Sequence, residues 1–251
     1  MTADRSSVIL SLSKDQPPDD TGEIAGRAFT LKIWALYLAL GLTFFGSLLL
    51  AAHDFPRPYD WHLDVMSLLA EPRFNPRAYG IACAGLALSS LFLLFFPRLL
   101  RQRLGATAPR TTAVSGFFLY LAALLLFLSG ILPGHVPGLG RAHEDFAHAH
   151  GVAISLAMLG YYTATLRLPA QYKLQRLGGI PLLVIPFGGF MISRLSLLLP
   201  AAWFTPAGYD ALRYSPWNRL ALWEWIAAIG TYLFLGLLLT LPEEKSQPPS
   251  S

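Results

Sequence analysis

Long apolar segments alternate with short polar ones along most of the chain. Six apolar runs of about 18 to 25 residues are long enough to cross the roughly 30 Å hydrocarbon layer of a bilayer as α-helices. They occupy residues 31–52, 79–96, 113–132, 147–166, 177–199 and 217–241. The pattern predicts an all-α membrane protein, a bundle of six transmembrane helices within residues 27–242. We expect the polar tails, 1–26 and 243–251, to be disordered and cytoplasmic.

The composition agrees with a membrane location, because 54% of the 251 residues are hydrophobic and only 14% are charged. The formal net charge of +4 does not indicate a nucleic-acid partner, since most basic residues fall in short loops between the predicted spans. With the amino terminus inside the cell, the cytoplasmic loops carry more Lys and Arg than the outer loops. We therefore predict a multi-pass protein of the cell membrane with both termini in the cytoplasm.

All six histidines fall on the predicted outer side, at the positions His53, His62, His135, His143, His148 and His150. Three of them lie with two carboxylates at the start of the fourth span. In a helix, the seven-residue spacing places His143 and His150 on one face. His148 then lies over Glu144 and Asp145, where a carboxylate can orient an imidazole.

This segment is similar to the zinc-protease pattern His-Glu-x-x-His but has one residue too many. The extra residue turns the second histidine by about 100° around the helix, so we do not predict a zinc-protease site. A metal site would need further ligands from another loop. Cys83, the only cysteine, lies inside the second span and offers neither a disulfide nor a cysteine-based metal site. The alternative is structural, with Glu144 and Asp145 complementing the helix dipole and the histidines hydrated at the interface.

The first outer loop, residues 53–78, has a second group of polar side chains. In a helix, Asp60, Asp64, Ser67 and Glu71 would form one polar stripe. We predict that this loop and the start of the fourth span converge around one outward-facing cavity, because buried polar groups need partners. Its candidate residues are Asp60, His62, Asp64, Ser67, His143, Glu144, Asp145, His148 and His150. The alternative is that the loop is a solvated amphipathic connector.

Two charged residues lie within the predicted spans. Arg194 and Glu224 are each about 9 to 11 Å inside the outer boundary, so antiparallel neighbouring helices would bring them to one depth. Because charges inside a membrane are costly and usually paired, we predict an intramembrane ion pair between the fifth and sixth spans. The alternative role of Arg194 is to bind a ligand headgroup.

A family resemblance rests on short motifs distributed over residues 30–241. The segment 60–67, followed by Asn75-Pro76 and a glycine-rich second span, resembles domain-of-unknown-function family 998. The same outer Asp/Ser element is similar to that of the Frag/DRAM/Sfk-type membrane proteins. The segments 131–133 and 218–220 fit the same six-span pattern. The resemblance implies a six-helix bundle and an association with membrane lipid distribution, and no catalytic residue is carried over from it.

Two classes of function follow from these patterns. The first is a non-enzymatic protein that binds or distributes membrane lipids or regulates a protein partner, for which no cofactor is expected. The second is a membrane-embedded hydrolase or transferase that uses the His/Asp/Glu cluster, either without a metal or with zinc. A bis-histidine haem protein is a third class, which the histidine positions disfavour: haem ligands usually lie opposed on spans, and here only His148 and His150 approach span positions. Metal analysis and an absorption spectrum of the purified protein would discriminate the three.

Overall fold

The structure is a computed structural model that describes the backbone of residues 20–132, 142–198 and 219–243. It describes the side chains of residues 30–132, 142–143, 145–193 and 219–243. Within these residues every regular element is helical. The chain divides into two compact units, 1–35 and 36–251. The first unit contributes the amino-terminal part of one helix, and the second contains all the other described elements.

The described α-helices follow the predicted apolar runs, with additional turns at their ends. They are α1 (Asp20–Gly41), α2 (Ser47–His53), α3 (Tyr79–Leu93), α4 (Phe96–Leu104), α5 (Pro109–Ile131), α6 (Ala142–Thr165), α7 (Lys173–Gly179), α8 (Ile185–Leu198) and α9 (Leu220–Leu239). π-helical turns at Leu42–Gly46 and Ile180–Val184 connect α1 to α2 and α7 to α8. Helix α1 begins inside the predicted amino-terminal tail, of which 1–19 lie outside the described residues.

Five helical segments of the described chain are long and apolar enough to cross a membrane, which supports a membrane protein. They are Thr30–His53, Tyr79–Leu104, Pro109–Ile131, Ala170–Ser193 and Leu220–Leu239. Helix α6 is also long, at 24 residues. It does not reach the same apolar content because its first turns contain the three histidines and two carboxylates. The sixth crossing therefore stays a prediction.

The second span is longer than its apolar run. The run ends at Phe96, but α4 continues the span to Leu104. This helix is amphipathic: Leu100 and Leu104 are buried, while Arg98 and Arg101 are exposed. Hydropathy alone ends the span too early, because it does not distinguish a polar helix face from a loop.

Helix pairs in the second unit approach closely where small or aromatic residues allow it. Helix α5 lies along α6 and also packs on α3. The α3–α5 contact is close at Gly130, where an added Cβ would lie 2.6 Å from the backbone nitrogen of Ala87. At another contact, the rings of Tyr37 and Tyr232 stack with centroids 4.2 Å apart. Each hydroxyl of this pair donates to the other residue's backbone carbonyl, at 3.1 and 3.3 Å.

Proline and arginine determine local features of the remaining helices. Pro181 lacks a backbone N–H and lies in the second π-helical turn, which interrupts the α-helical hydrogen bonding between α7 and α8. Arg103 of α4 is buried, and its Nε donates to the carbonyl of Leu241 at 3.0 Å. It also forms an ion pair with Glu243 at 3.7 Å. Arg103 therefore ties α4 to the end of α9.

Candidate functional site

The first loop, residues 54–78, is not the α-helix that its polar spacing suggested. Residues 61–64 form turns and a bend, and Met66–Ala70 is a 3-10 helix. Asp60 starts the turn: its Oδ1 accepts the backbone N–H of His62 at 2.9 Å. Hydrogen bonds that Asp side chains accept from nearby backbone amides compete with helix formation. This competition explains why the prediction of an α-helix was wrong here. The predicted polar stripe is therefore not formed on one helix: Asp64 and Glu71 are buried, while Asp60 and Ser67 are half-buried.

Asp64 is the centre of this loop. Its carboxylate accepts two hydrogen bonds from the Arg57 guanidinium, at 2.6 and 2.7 Å, and a third from the backbone N–H of Asp60 at 2.9 Å. The Tyr59 hydroxyl donates to the backbone carbonyl of Asp64 at 2.6 Å. Bidentate bonds between arginine and a carboxylate are short and directional. Asp64 is only 4% exposed, so this is a structural anchor within the loop.

The electrostatics of the loop follow from the same contacts. The hydrogen bonds from Arg57, with a further contribution from the Asp60 amide, hold the pKa of Asp64 below its usual value despite partial burial. The hydrogen bond to Asp64 raises the pKa of Arg57. Burial raises the pKa of Tyr59, which therefore stays a neutral hydroxyl donor. Asp64 is thus an ionised acceptor and is not available as a general acid near neutral pH.

Aromatic rings and Glu224 attach the loop to α9. Trp61 packs edge to face on Trp225, with ring centroids 4.8 Å apart, and Tyr59 packs on Trp61 at the same distance. Glu224 Oε2 accepts the backbone N–H of Met66 at 2.9 Å. This N–H belongs to the first turn of the 3-10 helix, where no intrahelical acceptor exists. Sequence reasoning paired Glu224 with Arg194 and did not identify this amide as a partner.

Asn75 attaches the other end of the loop to its neighbours. Its side chain is fully buried, and Nδ2 donates to the carbonyls of Ala51 and Leu69 at 3.0 and 3.1 Å. These bonds join the end of α2, the 3-10 helix and the residues before α3. The sequence signal was the Asn-Pro pair, which was part of the family resemblance rather than of the predicted polar cluster.

The histidines at the start of α6 are separated by the helix, as their spacing predicted. His143 is 2% exposed, and its Nδ1 donates to the carbonyls of Ser129 at 2.7 Å and Leu132 at 3.1 Å. His150 donates from Nδ1 to the carbonyl of Ala122 at 2.8 Å. Both residues therefore bind α5, and Nδ1 must carry the hydrogen because a carbonyl can only accept. His148 and Asp145 are exposed on another side of the helix.

His143 has a specific role at the end of α5. The last carbonyls of a helix have no intrahelical donor, and Ser129 and Leu132 are at this end. An imidazole N–H supplies the missing donor, so His143 caps α5 from a neighbouring helix. His150 donates to the carbonyl of Ala122 in the middle of α5, in addition to the hydrogen bond that this carbonyl accepts within the helix. The pair therefore stabilises the α5–α6 contact.

Several predicted positions lie outside the described residues. These are His135, the side chain of Glu144 and the side chain of Arg194. The predicted Arg194–Glu224 ion pair stays a prediction. The convergence of the first loop with the histidines also stays a prediction. The contacts described above join the loop to α2 and α9, while His143 and His150 contact α5.

A groove between α4 and α5 was missed by sequence reasoning. It has a volume of about 650 Å³ and lies at the end of these helices that is away from the first loop. Arg98, Arg101 and Gln102 of α4 line one side of the groove. The facing side consists of Ala113, Gly116, Phe117 and Tyr120 of α5. A sequence signal existed: two arginines three residues apart directly follow the second apolar run.

The groove is fixed by the connection between the two helices. Four residues, 105–108, join α4 to α5. The buried Thr112 hydroxyl donates to the carbonyl of Leu104 at 3.2 Å and closes this turn. Leu100 and Leu104 of α4 and Thr112 and Gly116 of α5 are buried, while Arg98 and Arg101 are exposed at the mouth of the groove. Phe117 remains 63% exposed on the groove wall.

Among the described residues, no group of three or more His, Cys, Asp or Glu side chains is arranged to hold a metal ion. Comparisons with protein-family models, curated protein sequences and solved structures give no match for the chain.

Proposed function

We propose that the chain is a six-span protein of the cell membrane, with both termini in the cytoplasm, that binds a membrane lipid without catalysing a reaction. The groove between α4 and α5 is the observation that carries this proposal. The resemblance to domain-of-unknown-function family 998 and to the Frag/DRAM/Sfk-type proteins agrees with this proposal, because a protein associated with lipid distribution needs a lipid-binding surface.

The shape of the groove suits one end of a lipid. Its volume of about 650 Å³ is within the range of small-ligand sites. From Ala113 to Tyr120 the groove extends over seven residues of α5, or about 10 Å along the helix. Helix α5 runs into the membrane from this end, so the apolar wall continues from the interface towards the hydrocarbon. An acyl chain can therefore enter the groove from the side without leaving the bilayer.

The histidine geometry supports binding rather than catalysis. His143 is buried, and His143 and His150 both donate Nδ1–H to carbonyls of α5. Asp64, which is buried, is held by Arg57. A general acid or base must reach a substrate, and these contacts instead give the three residues structural partners.

A groove-filling substitution tests the proposal. Ala113 is exposed and lines the groove, so Ala113→Trp should fill it without disturbing the buried core. Val114 is the matched control, because it is 57% exposed on the same helix and does not line the groove. We expect Ala113→Trp to lower lipid occupancy about tenfold, equivalent to about 1.4 kcal/mol, and Val114→Trp to leave it unchanged.

Lipid occupancy can be measured by native mass spectrometry of the detergent-purified protein, with an equal mixture of phosphatidylcholine and phosphatidylglycerol. The mixture makes the test independent of headgroup. Equal lipid occupancy in the wild type, Ala113→Trp and Val114→Trp would contradict lipid binding in the groove.

A further inference from the structure

We infer that the groove binds an anionic phospholipid, whose phosphate contacts Arg98 and Arg101 and whose acyl chain lies along Phe117. This inference names the ligand class of the groove and rests on the proposed function, since a lipid must first occupy the site. In the predicted topology the lipid comes from the cytoplasmic leaflet.

The arginines of α4 have two different roles. Arg98 and Arg101 are three residues apart, so they lie on one helix face with Cβ atoms about 5 to 6 Å apart. Both are exposed and line the groove. Arg103, two positions further, points into the bundle and is occupied by the carbonyls of Leu241 and Leu99. The two groove arginines are therefore not needed to hold α4 in place.

The helices that form the groove, α4 and α5, carry no negative charge of their own. The sequence has no Asp or Glu from Pro72 to His143, a stretch that includes α3, α4 and α5. Among the described side chains, the ion pairs of arginine are Arg57 with Asp64 and Arg103 with Glu243, so neither groove arginine has a carboxylate partner. Two cations on one face repel each other, and a bound anion would remove this repulsion.

Arginine is well suited to bind the phosphate of a lipid headgroup. Its planar guanidinium donates two parallel hydrogen bonds to phosphate oxygens. Gln102 adds a neutral donor at the same end of the groove. Basic pockets between transmembrane helices on the cytoplasmic side are the sequence-readable sites of anionic lipids. Zwitterionic lipids also carry a phosphate, but their ammonium group would face the two arginines.

The apolar part of the groove distinguishes a lipid from a free phosphate. A free anion would contact only the arginine end of the groove. It would make no contact with Ala113, Gly116 and Phe117. Phe117 and Tyr120 are five and eight residues beyond Thr112, or about 8 and 12 Å deeper along α5. One molecule that meets both ends must have a negative headgroup and a hydrocarbon chain.

The experiment compares phosphatidylglycerol with phosphatidylcholine of the same acyl chains, each titrated into the purified full chain in detergent. Binding is followed by native mass spectrometry. Each basic residue near anionic lipid contributes about 1 kcal/mol, or roughly fivefold in affinity. We therefore expect the wild type to prefer phosphatidylglycerol by roughly 30-fold. Arg98→Gln/Arg101→Gln should bind the two lipids almost equally, and Arg98→Lys/Arg101→Lys should retain most of the preference.

Arg110→Gln is the matched control, because Arg110 is exposed in the first turn of α5 and does not line the groove. It should keep the wild-type preference. The single variants Arg98→Gln and Arg101→Gln should each reduce the preference about fivefold, and they provide the same test if the double variant does not fold. An equal loss in Arg110→Gln would show a general surface effect and overturn the inference.

Two further outcomes separate this inference from the proposed function. If Ala113→Trp prevents binding of both lipids but the arginine variants keep the headgroup preference, lipid binding stands and the anionic phospholipid site is wrong. If Ala113→Trp has no effect on either lipid, the proposed function fails and this inference fails with it. Arginine-dependent binding of glycerol 3-phosphate as tight as that of phosphatidylglycerol would show a free-phosphate site and also overturn the inference.

Discussion

At the scale of single residues, Asp64 holds the first loop together. It accepts bonds from Arg57 and from the Asp60 amide, so Asp64→Asn should weaken both by removing the charge. We expect the loop to lose about 1 to 3 kcal/mol of local stability, the range for hydrogen bonds to a buried charged group. Hydrogen exchange of the amides of residues 60–66 should be faster in Asp64→Asn, and thermal unfolding in detergent should begin at a lower temperature.

Asp60→Asn is the control, because the Asp60 side chain is 43% exposed and asparagine can still accept the His62 amide. The amides of residues 60–66 in Asp60→Asn should exchange with solvent as fast as in the wild type.

The pH dependence of this stabilisation follows from the lowered pKa of Asp64. The stabilisation is complete above the ordinary pKa of 3.8 and is lost as pH falls through the lower folded-state pKa. The difference between wild type and Asp64→Asn should thus stay constant from about pH 5 to pH 8 and shrink below about pH 4. A difference that disappears already near pH 6 would contradict this assignment.

Single polar residues such as Asp64 and His143 could be singled out from the sequence, but their hydrogen-bond partners could not. Asp64 and His143 stood out because polar side chains next to apolar runs need hydrogen bonds. Their partners are Arg57 and the carbonyls at the end of α5. Neither pairing follows a helical or strand period, because each depends on how the chain folds back after a turn. Arg98 and Arg101 were visible as charges, yet their groove exists only when α5 packs beside α4.

At the scale of helices, the α3–α5 contact depends on Gly130. A Cβ at this position would lie 2.6 Å from the nitrogen of Ala87 and 2.8 Å from the carbonyl oxygen of Cys83. Both atoms are backbone, so the helices must move apart to accept it. We expect Gly130→Ala to destabilise the protein by about 1 to 3 kcal/mol, the usual cost of overpacking. Thermal unfolding in detergent measures the effect.

Gly80→Ala provides the comparison, because nothing lies within 4 Å of an added Cβ at Gly80. Alanine is the better helix former by about 1 kcal/mol, so this variant should be as stable as the wild type or slightly more stable. Equal stability of Gly130→Ala and Gly80→Ala would mean that α3 and α5 are not in close backbone contact.

The helices could be predicted more completely than the segments between them. Apolar runs identify α3, α5 and α9 because a span must cover the hydrocarbon layer whatever it packs against. Helix α4 was missed because half of its surface is polar. The 3-10 helix Met66–Ala70 was predicted as α-helix, since the side-chain spacing did not include the competing bonds of Asp60 and Asp64.

At the scale of the whole molecule, helix α6 decides the topology. If α6 crosses the membrane, the chain has six spans and both termini lie on one side. Its first turns are polar, but His143 and His150 donate to carbonyls of α5. Hydrogen bonds between helices reduce the cost of polar groups at the membrane boundary. Since α5 is itself long and apolar enough to span, α6 packed along it should cross as well.

Cysteine accessibility tests this in a Cys83→Ser background, in intact cells and in inverted vesicles. Single cysteines replace Leu63 in the first loop, Gln102 at the groove, Gly138 before α6 and Arg167 after it. With six spans, a membrane-impermeant reagent should label positions 63 and 138 from outside, and positions 102 and 167 only from inside. Labelling of 138 and 167 from the same side would show that α6 does not cross. Labelling of 63 from inside and 102 from outside would invert the orientation, and would move the anionic-lipid groove to the outer leaflet.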